Sequence, residues 1–179
     1  NELNECISSM HSSFPKLKDT KIADRVKCLA SIGNELRSNS GFWRELAQWE
    51  CHNAAAFDIE QKIAEENFDL ENIKIKADMI ERKFTKTFPK AFADDKENSK
   101  EKNSKEKFTV EYGLKKKPLG IVLVTLPPNA CYTMLNNVFA DLFLAGIPMI
   151  IKAPKKSAVV PYELANLYLK KIEEFGLPK

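Results

Sequence analysis

Two short segments carry the side chains best suited to chemistry. Thr125–Leu126–Pro127–Pro128–Asn129 follows one apolar run, and Lys152–Ala153–Pro154–Lys155 follows another. In an open parallel α/β sheet, ligands bind beyond the carboxyl ends of the strands, and that rule selects these segments. Asn129 offers a carboxamide N–H that can donate to an oxygen turning negative during reaction, an oxyanion-hole role. Its other natural use is to cap the helix that follows. Lys152 and Lys155 offer ammonium groups suited to ribose hydroxyls or phosphate, or are plain exposed charges. Neither GxGxxG nor GxxxxGK[ST] occurs in the chain.

Metal and thiol chemistry find less support. His11 and His52 have no His or Cys partner at ligand spacing, so no metal site is expected. Glu50, Cys51 and His52 read as the surface of a helix. The four cysteines, Cys6, Cys28, Cys51 and Cys131, lie 22, 23 and 80 residues apart without a CxxC pair. They read as reduced, mostly buried thiols of a cytoplasmic protein.

The elements that would position these groups differ between the two halves. Ile22, Val26, Leu29, Ile32 and Leu36 have the spacing of one helix face, with Asp19 or Thr20 as cap. Ser40 would cap a second helix bearing Phe42, Trp43, Leu46 and Trp49. Ala54 to Ala64 continues helical with Phe57, Ile59 and Ile63. Asp69 would cap a long helix with Leu70, Ile73, Ala77, Ile80, Phe84 and Phe88 on one stripe, ended by Pro89. In residues 94–107, NSKEK occurs twice in tandem and five Lys cancel five acids, predicting a solvated loop.

Beyond the loop, Phe108, Val110, Tyr112 and Leu114 alternate as in a strand with one buried face. Leu119 to Val124 is a nearly continuous apolar run, the texture of a strand buried on both faces. A helix over Ala130 to Leu144, broken by Gly146, leads to a second short buried strand, Met149–Ile150–Ile151. A last helix begins at Ser157 or at the turn before Pro161. It has Leu164, Leu167, Tyr168, Ile172 and Phe175 inward and a left-handed cap at Gly176. Strand, helix, strand, helix predicts a right-handed βαβ crossover and one further helix. The fold class is therefore α/β: a helical N-terminal layer over 1–92, a charged loop over 93–107, a strand within 108–117, and the start of a Rossmann-like parallel sheet over 118–179.

Composition sets the outer bounds. The 179 residues are 44% apolar and 30% charged, as in a globular protein, and 28 Lys+Arg against 25 Asp+Glu leave +3. That balance gives no push toward nucleic acid. The longest apolar run, 138–151, contains Asp141 and Pro148 and is too short to span a bilayer, so no membrane partner is expected.

Residues 118–179 resemble the start of the cofactor-binding domain of the aldehyde dehydrogenase superfamily. That family reads P-x-G-V-V-x-x-x-x-P-W-N-F-P, then A-G-N-x-x-V-x-K-P-[SA]-E, then a helix ending in A-G-L-P. The counterparts are Pro118, Gly120, Pro127, Asn129, Ala145–Gly146, Lys152 and Gly176–Leu177–Pro178. Phe14–Pro15, Arg25, Leu29 and Leu36 resemble its F-P…R…L…L opening. The resemblance implies that Asn129 donates to the thiohemiacetal oxyanion. It further implies that Lys152 contacts the adenosine ribose of NAD or NADP, and that Thr125, Leu126, Pro127 and Pro128 run along the cofactor, with Pro154 and Lys155 beside it. Where the family often has Glu, this chain has Lys155; an ammonium attracts a 2′-phosphate, which favours NADP.

The chain also departs from the motif at Pro128–Asn129–Ala130–Cys131, at Ile147 and at Lys155. CoA-acylating aldehyde dehydrogenases and glutamyl-phosphate reductases share the fold with looser motifs and form an alternative branch. The resemblance places the catalytic cysteine and general-base glutamate after the position of Lys179, so the chain is expected to be part of a larger homo-oligomeric enzyme acting on an aldehyde or acyl substrate. The strand near 108–114 would then join the oligomerisation hairpin. A non-catalytic binding or assembly module of the same fold is the other function class.

Overall fold

A computed structural model describes residues 2–50, 52–81, 84–89, 107–112 and 119–178. Two compact units emerge: Asn1–Ile80 with Pro118–Lys179, and Glu81–Lys117. The helical layer and the β–α–β–α segment thus share one unit.

Five helices form the layer: α1 (Glu2–Lys18), α2 (Ile22–Ser38), α3 (Ser40–Trp49), α4 (Ala54–Asn67) and α5 (Leu70–Glu81). The 3–4 spacing along α2 puts Cys28, Leu29, Ile32 and Leu36 fully inside. Gly33 brings α2 against the end of α4, because a Cβ there would lie 2.6 Å from the Cβ of Phe68. Of the expected caps Asp69 is present, its Oδ2 accepting from Glu71 N, and the others differ. α2 begins after Lys21 and α3 after Asn39, neither with a side-chain cap, and Ser40 is already helical. Thr20 instead donates to Leu17 O and accepts from Arg25. α4 is capped by Asn53, whose Oδ1 accepts from Ala55 N and Ala56 N. Its Phe57 is buried, while Ile59 and Ile63 are exposed.

The second part of this unit runs β3 (Val122–Thr125), α6 (Cys131–Leu144), β4 (Met149–Lys152) and α7 (Val159–Glu174). β3 and β4 pair in parallel, Val122 opposite Met149 through Thr125 opposite Lys152. The apolar runs predicted these strands, but only one face is covered. Val124 and Leu126 are buried, whereas Leu123 is 61% exposed because no described element packs over it. Helix α6 ends as Gly146 takes φ 72°, a conformation that glycine adopts without strain. Ile147 N then donates to Leu142 O. Gly176, at φ 64°, ends α7 likewise with Leu177 N donating to Ile172 O, as expected of a left-handed cap.

The core lies between α2, α4, α6 and α7. Phe139 stacks on Tyr168 and on Phe143, and Tyr132 lies against Phe57 and Trp43. Each large apolar side chain so buried contributes about 1.5–3 kcal/mol. The buried Asn136 is satisfied: Nδ2 donates to Tyr132 O, and Oδ1 accepts from Tyr168 Oη–H. Phe175 stays exposed at the end of α7. Cys28 and Cys131 are buried thiols, but Cys6 is exposed, and Cys51 lies outside the described residues. Among the described residues no helix is long and apolar enough to cross a membrane.

The other unit corrects the helix expected to run to Phe88. Helix α5 stops at Glu81, and β1 (Phe84–Pro89) pairs antiparallel with β2 (Lys107–Tyr112), Phe84 opposite Tyr112 and Phe88 opposite Phe108. Phe84, Lys86 and Phe88 alternate with Thr85 and Thr87, a β-branched and aromatic pattern that suits a pleated strand. Most of the charged stretch lies outside the described residues; Lys107 opens β2.

Candidate functional site

The parallel pairing sets the two sequence-selected segments side by side. Thr125 and Lys152 are register partners at the strand ends, and Leu126 N donates to Lys152 O over 3.2 Å, extending the ladder one step. Leu126 is buried and anchors the loop; Pro127–Pro128 then turns it toward α6. Ser157, buried after β4, donates from Oγ to Pro128 O over 3.3 Å. The loops after the two strands are therefore tied at both backbone and side-chain level.

Asn129 does not cap α6. The cap residue is Ala130, which supplies no side-chain bond. The Asn129 side chain is exposed and has no hydrogen-bond partner among the described residues. It lines an open cleft of about 490 Å³ together with Glu50, His52, Asn53, Glu60 and Pro128. Lys152 and Lys155 are exposed and make no ion pair among the described residues. Beside them Ile151, Ala153, Val159, Pro161, Tyr162 and Ala165 line an apolar groove of about 440 Å³. The Asn129 amide and the apolar groove thus belong to two different hollows. The apolar lining of this groove, which includes the sequence neighbours of Lys152, Ile151 and Ala153, offers a flat surface of the kind a nucleobase packs against.

The helical layer contributes groups that no sequence motif marked. Glu50 Oε1 and Oε2 accept from Val159 N at 2.6 Å and Val160 N at 3.2 Å, capping α7 from more than 100 residues away. A carboxylate at a helix N-terminus is favoured by the unpaired N–H groups and the macrodipole. His52 Nε2 lies 2.8 Å from Ser157 Oγ. Glu60 Oε2 accepts from Thr133 Oγ1 at 3.1 Å. Cys131 opens α6 with its side chain fully buried; burial first, then the charges of Glu50 and Glu60, push its thiol up to about 11. It is protonated near neutrality and is a poor nucleophile there.

A helical layer packed on a parallel β–α–β unit, with exposed polar groups at the carboxyl ends of its strands, defines an α/β protein of the kind whose ligands bind at those strand ends. The sequence matches the aldehyde dehydrogenase family over residues 1–179, and the chain belongs to that family.

Solved structures agree on the fold. The NADP complex of glyceraldehyde-3-phosphate dehydrogenase from Methanocaldococcus jannaschii is similar at TM-score 0.76 and 17% identity, over 99% of this chain and 34% of that one. A propionaldehyde dehydrogenase from a Clostridium phytofermentans microcompartment follows at TM-score 0.62 and 13% identity, over 98% of this chain and 35% of that one. Gamma-glutamyl phosphate reductase from Saccharomyces cerevisiae matches at TM-score 0.54 and 15% identity, over 96% of this chain and 41% of that one. The chain spans about a third of the first two and 41% of the last. No curated protein matches the sequence.

Proposed function

We propose that the chain serves an NAD(P)-dependent oxidoreductase of the aldehyde dehydrogenase type, supplying one oxyanion donor and the adenosine side of the cofactor site. The observation carrying this reading is the register of Thr125 against Lys152 at the strand ends, with the Asn129 amide, unpartnered among the described residues, four residues beyond Thr125. The family match over the whole chain supports it.

The bound dinucleotide supplies the hydride acceptor. Lys152 and Lys155 hold its adenosine end, the apolar groove excludes water from the base, and Thr125 to Pro128 form the floor. Asn129 Nδ2–H donates to the carbonyl oxygen of the substrate as that oxygen gains charge; an amide already free of partners needs no bond broken first. The nucleophilic cysteine of such chemistry is not Cys131, whose thiol is buried and protonated.

Lys155 selects NADP over NAD in this reading, because an ammonium near the ribose attracts the 2′-phosphate. The test compares kcat/KM for the two cofactors in the intact enzyme and in Lys155→Glu. The preference should shift toward NAD by about tenfold or more, as expected for about 1.4 kcal/mol of charge interaction. An unchanged ratio contradicts the placement of Lys155.

A further inference from the structure

We propose that Glu50, His52 and Cys131 form a binding site for a divalent transition metal of the zinc class. One ligand atom from each, a carboxylate oxygen, a ring nitrogen and the Cys131 Sγ, lie within 4.8 Å of one another. Three separate segments converge: Glu50 is the residue that ends α3, His52 lies just before α4, and Cys131 opens α6. The inference departs from the expectation that no metal site exists, since sequence spacing cannot register a residue 79 positions away.

The donor set selects the ion. Thiolate, imidazole and carboxylate together suit zinc, whereas magnesium and calcium prefer oxygen alone. Ligands bound at zinc distances stand about 3.5 Å apart in a tetrahedron. A dication between a thiolate and a carboxylate also leaves the cluster neutral.

The groups behind the ligands are already in place. With the Ser157 hydroxyl proton directed to Pro128 O, Ser157 Oγ can accept His52 Nε2–H across the 2.8 Å contact, the tautomer in which Nδ1 keeps its lone pair. A metal-bound histidine is normally oriented through its other ring nitrogen in this way. Glu50 accepts one α7 N–H on each oxygen, and each oxygen keeps a second lone pair for a metal. The cleft shared with Glu60 and Asn129 opens on Glu50 and His52, giving water access as a fourth ligand. A helix cap and a Ser–His hydrogen bond account for Glu50 and His52 without a metal, but not for the thiol between them.

Cobalt(II) titrated into the intact, chelator-stripped protein is the probe, followed by absorption spectroscopy. One equivalent should produce tetrahedral ligand-field bands and a thiolate-to-cobalt charge-transfer band, both removed by zinc. Cys131→Ser should abolish the charge-transfer band, and Cys6→Ser should keep it. Ser157→Ala should weaken cobalt binding about ten- to hundredfold, the usual effect of removing a group that orients a ligand. His52→Asn, at a half-buried position, should weaken it at least as much, and it carries the test alone if Cys131→Ser fails to fold. A wild-type protein without the charge-transfer band at one equivalent overturns the proposal, leaving a hydrogen-bonded helix cap and a core thiol only. So does a band indifferent to both Cys131→Ser and His52→Asn.

Discussion

Replacing Arg25 with methionine tests what locks the helical layer to the β–α–β unit. The Arg25 side chain is buried among helix ends. Nε donates to Leu144 O at 3.1 Å; Nη1 donates to Leu17 O at 3.1 Å, Thr20 O at 2.8 Å and Thr20 Oγ1 at 2.7 Å. Leu144 ends α6, so its carbonyl lacks a helical partner and sits at a negative dipole end, whereas Leu17 O also accepts from Thr20 N and Thr20 Oγ1. Methionine keeps the length and apolar stem but removes the Arg25 donors to Leu144 O and Thr20 O, while Leu17 O keeps Thr20. At about 1–3 kcal/mol for the buried Leu144 O, and less for the part-buried Thr20 O, Arg25→Met should cost about 1–4 kcal/mol, a substantial share of the usual 5–15 kcal/mol. Urea unfolding of the intact protein should show a lower midpoint at unchanged slope. Arg25→Lys should recover less than half, because an ammonium cannot reproduce the fork that reaches both helices. A loss under about 1 kcal/mol in Arg25→Met, or a fully stable Arg25→Lys, refutes the reasoning.

Glu50→Ala, measured in chelator, should destabilise by about 1–2 kcal/mol through loss of the α7 cap, with Glu50→Gln intermediate; differential scanning calorimetry reads both. Alkaline pH should weaken the fold through Cys28, whose thiol is pushed up to about 12 by burial first and by Glu174 second, with Lys171 opposing. Below the ordinary thiol value of 9.0 both states hold the proton, so stability is unaffected there. Between 9 and 12 the unfolded chain releases a proton that the folded one keeps, and stability falls by up to about 1.4 kcal/mol per pH unit. Urea midpoints at neutral and alkaline pH should show this slope, and Cys28→Ala should lessen it, the rest coming from Cys131, whose thiol is pushed up to about 11, and from the buried tyrosines.

The β–α–β segment was legible because its signals are local. Nearly continuous apolar runs mark the strands, Pro127 and Pro148 bound the connection, and Gly146 and Gly176 mark helix ends. Parallel pairing then makes Thr125 and Lys152 neighbours wherever the register is set by those runs. The stripe from Leu70 misled because Phe84 and Phe88 continue a 3–4 spacing; the partner strand that decides the matter, Lys107–Tyr112, lies beyond a charged stretch. Caps were only partly local: Asp69 Oδ2 accepts from Glu71 N at the start of α5, as its type predicts. Asp19, Thr20 and Ser40 are good capping types in sequence, yet α7 takes its cap from Glu50, which only tertiary packing brings near. Ser157 was read as a helix start, and its role in joining His52 to Pro128 has no sequence signature.

The central claim is that the free Asn129 amide serves the reacting oxygen. Asn129→Ala in the intact enzyme, assayed with aldehyde and NAD(P), tests it most directly. The side chain is exposed and unpartnered among the described residues, so the unfolding midpoint should not move. Loss of one oxyanion donor should lower kcat by about 10²–10³-fold with little change in cofactor KM. A kcat within about threefold of wild type, far less than the loss of such a donor costs, contradicts the account. So does a fall in activity that tracks a fall in stability.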